Sequence, residues 1–138
     1  MKYNYVLFDA DETLFRFDIK AGLVHLLKQY QIQCTDAHFD HYQKTNKRLW
    51  LEYQDGIIDA ELLQIERFTH WGEQLDVTAK QLNDEYLDAM AKICAPLPGA
   101  LTMLNELTSH AKLGIITNGL ERMQQIRLKK CGVEHLFD

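Results

Sequence analysis

Asp9 and Asp11 stand two residues apart where a short apolar run ends, in "YVLFDADETLF". In extended backbone, residues at this spacing lean to the same side. Carboxylates that close repel one another, which suits one to attack as a nucleophile and the other to handle a proton. A hard cation that favours oxygen ligands, Mg²⁺ above all, would offset the repulsion and coordinate a phosphate as well. A second apolar run, in "KLGIITNG", leads into Thr117, Asn118 and Gly119. The Thr117 hydroxyl and the peptide N–H groups of Asn118 and Gly119, at the start of a helix, are suited to hold an anion. Gly119 also lets the backbone come close to it. Taken singly, acids after a strand also cap turns, and Thr-Asn-Gly is also a turn signal. Both tails following apolar runs, in this order, favour one phosphate-handling site made of Asp9, Asp11 and Thr117.

Such a site needs elements that bring the two tails together. Tyr5 to Phe8 and Leu113 to Ile116 are continuously apolar, as in strands of a parallel sheet covered on both faces, and ligands gather beyond the carboxyl ends of such strands. Between them the periodicity is helical. Ile19, Leu23, Leu26, Leu27 and Tyr30 share one face, and so do Phe39, Tyr42, Leu49, Trp50 and Tyr53 before Gly56. Asp59 is suited to cap a third helix carrying Leu62, Leu63, Ile65 and Phe68. Thr78 with Gln81 reads as a capping box opening a fourth, with Leu82, Tyr86, Met90 and Ile93. Four helices in succession predict a bundle. "CAPLPGA" cannot continue a helix and marks the return to the sheet, where Ala100, Leu101, Leu104 and Leu107 form a short helix. After the second strand, Leu120, Met123, Ile126 and Lys130 trace a last helix closed by Gly132.

Composition narrows the partners. Fifteen Lys and Arg against twenty Asp and Glu give a net charge of −5, so there is no general attraction to nucleic acid or to an anionic membrane. There is no secretory leader and no apolar stretch near a bilayer span, and three dispersed cysteines, Cys34, Cys94 and Cys131, suit a reducing compartment. The expected location is the cytoplasm. The cysteines read as packing residues, and His38 with His41, lacking further ligands at suitable spacing, as a solvated helix face.

"DADET" resembles the D-x-D-x-T signature of the haloacid dehalogenase (HAD) superfamily of phosphatases, and "IITNG" resembles its second motif. The resemblance implies an α/β fold with a Rossmann-like HAD core, residues 1–14 and 95–138, and an inserted four-helix-bundle cap, residues 15–94. "FDADETLF", "NKRLW", "APLPGA" and "GIITNG" look like the pyrimidine 5′-nucleotidase branch. That implies a cytoplasmic, Mg²⁺-dependent hydrolase of UMP, dUMP or dTMP. Carried over by position, Asp9 would attack phosphorus and become an aspartyl-phosphate. Asp11 would protonate the leaving oxygen and then activate water, its main-chain carbonyl joining Asp9 on Mg²⁺. Thr117, Asn118 and Gly119 would hold the phosphoryl group. An acid at Asp11 also separates phosphatases from dehalogenases, whose halide leaves without a proton. Base contacts would fall to Phe15, Phe17, Asn46, Lys47, Trp50 and Tyr53, although an aromatic stripe at helical spacing equally suits bundle core. The family pattern continues with a Lys and an acidic pair, whereas this chain ends at Phe137 and Asp138. It is therefore expected to be a core truncated after the second strand and its helix, nearly inactive by itself. A sugar-phosphate phosphatase or phosphomutase, or a non-catalytic phosphate-binding fragment, are the alternatives.

Overall fold

A computed structural model describes residues 2–117 and 121–138. Contacts divide the chain into two units, one built from the chain up to Asp18 and from Met90–Asp138, the other from Ile19–Ala89.

In the first unit, strand β1 (Tyr5–Phe8) pairs in parallel with β2 (Lys112–Ile115), with Val6 opposite Leu113 and Phe8 opposite Ile115. Parallel neighbours put both carboxyl ends at the same sheet edge, so the tails meet as the sequence predicts. The expected cover on both faces is not found. Val6 and Phe8 are half-buried, whereas Tyr5 and Leu7 are exposed, so among the described residues only one face of β1 is covered. The core consists of Ala10, Leu14, Phe15, Ala100, Leu104, Leu113 and Val133. Helices α5 (Ala100–Leu107) and α6 (Glu121–Lys130) and a 3₁₀ turn (Glu134–Leu136) complete the unit. The label α5 follows four helices of the second unit in chain order. The "CAPLP" return is tied to the loop after β1: Arg16 N–H donates to Ala95 O and Leu97 N–H to Leu14 O, each at 2.8 Å. Gly132 closes α6 at φ 69°, the left-handed conformation that glycine adopts without a steric penalty.

The second unit holds α1 (Ile19–Lys28), α2 (Asp36–Gln54), α3 (Ala60–Leu75) and most of α4 (Ala79–Ile93). Its helix starts are encoded locally. Asp59 Oδ1 accepts Leu62 N–H at 2.8 Å, and Thr78 Oγ1 accepts Gln81 N–H at 3.1 Å. The Gln81 side chain does not complete a box but donates to Glu85. A reciprocal box forms instead at Thr35 and His38, where an imidazole nitrogen replaces the usual carboxylate. Tyr42, Phe68 and Tyr86 meet at the centre with ring centroids 5.3–5.9 Å apart. Leu63, Phe68 and Trp71 carry the buried side of α3, and Leu62, expected there, is exposed. Arg67 lies on the buried side too, its Nε and Nη2 donating to Asn83 Oδ1. No helix among the described residues is long and apolar enough to cross a membrane.

Candidate active site

The loop after β1 is folded on a single carbonyl. Ala10 O accepts N–H groups from Leu14 at 3.0 Å and Phe15 at 3.1 Å, and Glu12 takes a left-handed φ of 56° to let the chain turn. Glu12 Oε1 accepts Phe17 N–H at 2.7 Å, which holds the loop exit. The Thr13 hydroxyl donates to Asp9 Oδ2 at 3.1 Å. That bond orients one oxygen of the solvent-exposed Asp9 and leaves the other open.

Asp11 has a different partner. Arg127, on α6, places Nη1 against Asp11 Oδ1 as an ion pair, with the guanidinium sealed from solvent and the Asp11 side chain about one third exposed. The same nitrogen donates to Gln124 Oε1 at 3.1 Å, and the cation lies 5.4 Å from the Phe15 ring centre and 5.9 Å from that of Phe17. Nothing in the sequence marked Arg127: the expected face of this helix ran through Met123, Ile126 and Lys130, whereas α6 buries Gln124 and Arg127 and leaves Lys130 exposed. Nearby, the Cys94 and Cys131 sulfurs are 3.8 Å apart. Burial pushes the Cys94 thiol up to about 12, the neighbouring Cys131 adding to the rise and Arg127 opposing it.

Thr117 follows β2, and Ile116 N–H donates to Phe8 O at 2.8 Å, so Thr117 leaves the sheet at the edge where Asp9 begins its loop. An open depression of about 450 Å³ lies along this edge, lined by Ile115, Ile116, Thr117, Glu121, Gln124 and Leu128. Asn118 and Gly119, the other expected phosphate ligands, lie outside the described residues.

The expected base contacts divide. Phe15 is fully buried in the first unit, where it packs the core and floors the Arg127 guanidinium, and Phe17 is half-buried on the same cation. Burial takes Phe15 out of reach of a base. Asn46, Lys47, Trp50 and Tyr53 belong to the second unit, on α2. There the Asn46 Oδ1 is buried without a hydrogen-bond partner among the described residues, and Trp50 meets Tyr53 edge-on at 5.5 Å. His38 and His41 are not simply a solvated face: His38 packs edge-on against Trp71 and His41 lies 4.6 Å from the ring of His70.

No cluster of three or more His, Cys, Asp or Glu side chains among the described residues could hold a metal. The donors at the sheet edge nonetheless suit Mg²⁺, which takes one or two carboxylates, with water and phosphate oxygens completing its shell. Asp9 offers a carboxylate oxygen that Thr13 does not use, and Asp11 a main-chain carbonyl.

Residues 6–138 match the model of the family described as haloacid dehalogenase-like hydrolases. The chain is 46% identical over 138 residues to the pyrimidine 5′-nucleotidase YjjG of Escherichia coli, covering all of this chain and 61% of that protein. It is 31% identical over 145 residues to the pyrimidine 5′-nucleotidase PynA of Streptococcus pneumoniae, covering 60% of it. The fold is similar to that of the HAD-hydrolase YfnB of Bacillus subtilis, solved bound to magnesium, with a TM-score of 0.78 at 23% identity over all of this chain and 64% of that one. The chain spans about three fifths of the length of these curated relatives. A strand followed by Asp9 and Asp11, a parallel partner followed by Thr117, and a family match over nearly every residue lead to one assignment: the chain belongs to the haloacid dehalogenase-like hydrolases.

Proposed function

We propose that the protein is a phosphomonoester hydrolase acting on pyrimidine nucleoside 5′-monophosphates through an aspartyl-phosphate on Asp9. The observation that carries this reading is the separation of the two acids. Thr13 orients Asp9 with one oxygen open, while Asp11 is held from the other side by Arg127. Two carboxylates with different partners can take two roles. Asp9 attacks phosphorus as the ester P–O bond breaks, and Asp11 gives its proton to the departing 5′ oxygen. In the second half, Asp11 takes a proton from water, the water oxygen bonds to phosphorus, and the P–O bond to Asp9 breaks. Thr117 and the adjacent amides hold the phosphoryl oxygens at the sheet edge. The Asp9 carboxylate and the Asp11 carbonyl would hold Mg²⁺, which supplies charge neutralisation for the phosphate when bound. The pyrimidine assignment rests on the identity shared with the two nucleotidases.

The test is phosphate release by the longest native form of the protein from UMP, dUMP, dTMP, purine monophosphates and sugar phosphates, with Mg²⁺ or with a chelator. Pyrimidine monophosphates should lead the panel, and Asp9→Asn should lose at least roughly 10³-fold in kcat, because the nucleophile is gone. Preference for sugar phosphates would overturn the nucleotide reading, and an active Asp9→Asn would overturn the mechanism.

A further inference from the structure

We propose that Arg127 is a positioning residue for Asp11, fixing the side chain that delivers the proton to the leaving oxygen; this rests on the phosphatase reading above. A guanidinium sealed from water costs free energy, and a well-packed apolar side chain of similar volume would serve the same space at no such cost. Arg127 nevertheless occupies the interior of the first unit and, among the described residues, directs its charge at one carboxylate, that of Asp11. Three neighbours keep the guanidinium from turning away: Gln124 Oε1 takes Nη1–H, and the Phe15 and Phe17 rings lie against the cation.

The geometry also divides the labour between the two oxygens of Asp11. Oδ1 is buried in ionic contact with Arg127 Nη1, without a hydrogen bond among the described residues, whereas the side chain as a whole is about one third exposed. The part of Asp11 that faces solvent is therefore not the oxygen that Arg127 holds. A carboxylate anchored through one oxygen keeps one side-chain rotamer and presents its other oxygen in a constant direction. Arg127 itself, 2% exposed at the side chain, has no access to a bound ester and acts only through Asp11. Misplacing a catalytic group by about an ångström costs up to roughly 10²-fold in rate, so loss of this anchor should show in turnover.

Leaving-group dependence separates positioning from simple bracing of α6. The 5′ oxygen of a nucleotide needs a proton as it leaves, whereas p-nitrophenolate leaves readily without one. In Arg127→Gln, kcat on UMP should fall about 30- to 100-fold with KM within about 3-fold, and kcat on p-nitrophenyl phosphate should fall less than about 3-fold. Arg127→Lys, which keeps the charge and is the milder change for folding, should recover about 10-fold of the UMP rate. Equal losses on both substrates, or no loss on UMP in a folded variant, would overturn the proposal. Asp11→Asn serves as the control: if it shows the leaving-group selectivity and Arg127→Gln does not, only the role of Arg127 fails. If the wild type hydrolyses neither ester, or Asp11→Asn treats both alike, the phosphatase reading or the role of Asp11 has failed, and with it the proposal.

Discussion

Asn83→Ala should be among the most costly single truncations in the helical unit, although it removes only a side-chain amide. Arg67 and Asn83 are both buried, and the Asn83 Oδ1 receives Nε–H of Arg67 at 3.1 Å as well as Nη2–H. The Asn83 amide in turn donates to Gln64 Oε1 at 3.0 Å. Among the described residues Arg67 has no carboxylate partner, so Asn83 Oδ1 is the only oxygen that receives its charge. Hydrogen bonds to charged groups contribute about 1.5–3 kcal/mol each, and a buried donor left without a partner costs its full desolvation. Two such bonds share one acceptor here, which argues for a loss nearer about 3 kcal/mol than twice that range. The rings of Tyr86, 4.8 Å from the guanidinium carbon, and Phe68, 5.4 Å away, retain part of the stabilisation. Arg67→Met removes the charge together with its need for a partner and should cost about 1–2 kcal/mol, so the double variant should fall short of the sum by at least about 1 kcal/mol. Both tryptophans, Trp50 and Trp71, lie in this unit, and urea unfolding followed by their fluorescence reports on it alone. A cost for Asn83→Ala below about 0.5 kcal/mol, or additive single variants, would refute the account of Arg67 as a cation that depends on Asn83.

Two further outcomes can be checked on the same protein. Gly72→Ala would place a Cβ 2.8 Å from Val77 O and 3.3 Å from Ala79 N, backbone atoms that cannot swing aside. Overpacking of about 1–3 kcal/mol outweighs the roughly 1 kcal/mol gained in helix propensity, so urea midpoints should fall, and a rise would contradict the packing described. The Cys94 thiol, raised to about 12, stays protonated near pH 8. Iodoacetamide at that pH should therefore modify it at least about tenfold more slowly in the native protein than in its unfolded form, as peptide mapping by mass spectrometry would show; equal rates would contradict its burial.

Much of the framework was legible because its signals are short-range. The apolar runs that become β1 and β2, the caps at Asp59 and Thr78, the stop at Gly132 and the Pro-rich return each depend on a few adjacent residues. The position of Asp9, Asp11 and Thr117 beyond the carboxyl ends of β1 and β2 was legible for the same reason, since each follows its strand directly in sequence. Packing decided the rest. Phe15 could equally have been a base contact or a core residue, and the sheet made it core. The single-faced cover of β1 depends on what packs against the sheet, which no local pattern states.

The sequence by itself therefore determined the helical and strand elements and which acids follow the first strand, because periodicity, capping and motif spacing act over a turn or two. Only the tertiary structure decided that Arg127 meets Asp11 and that Arg67 meets Asn83. Charged residues in an amphipathic pattern read by default as solvent-facing. Whether one of them is buried depends on a partner from another element, and that partner is supplied by the fold.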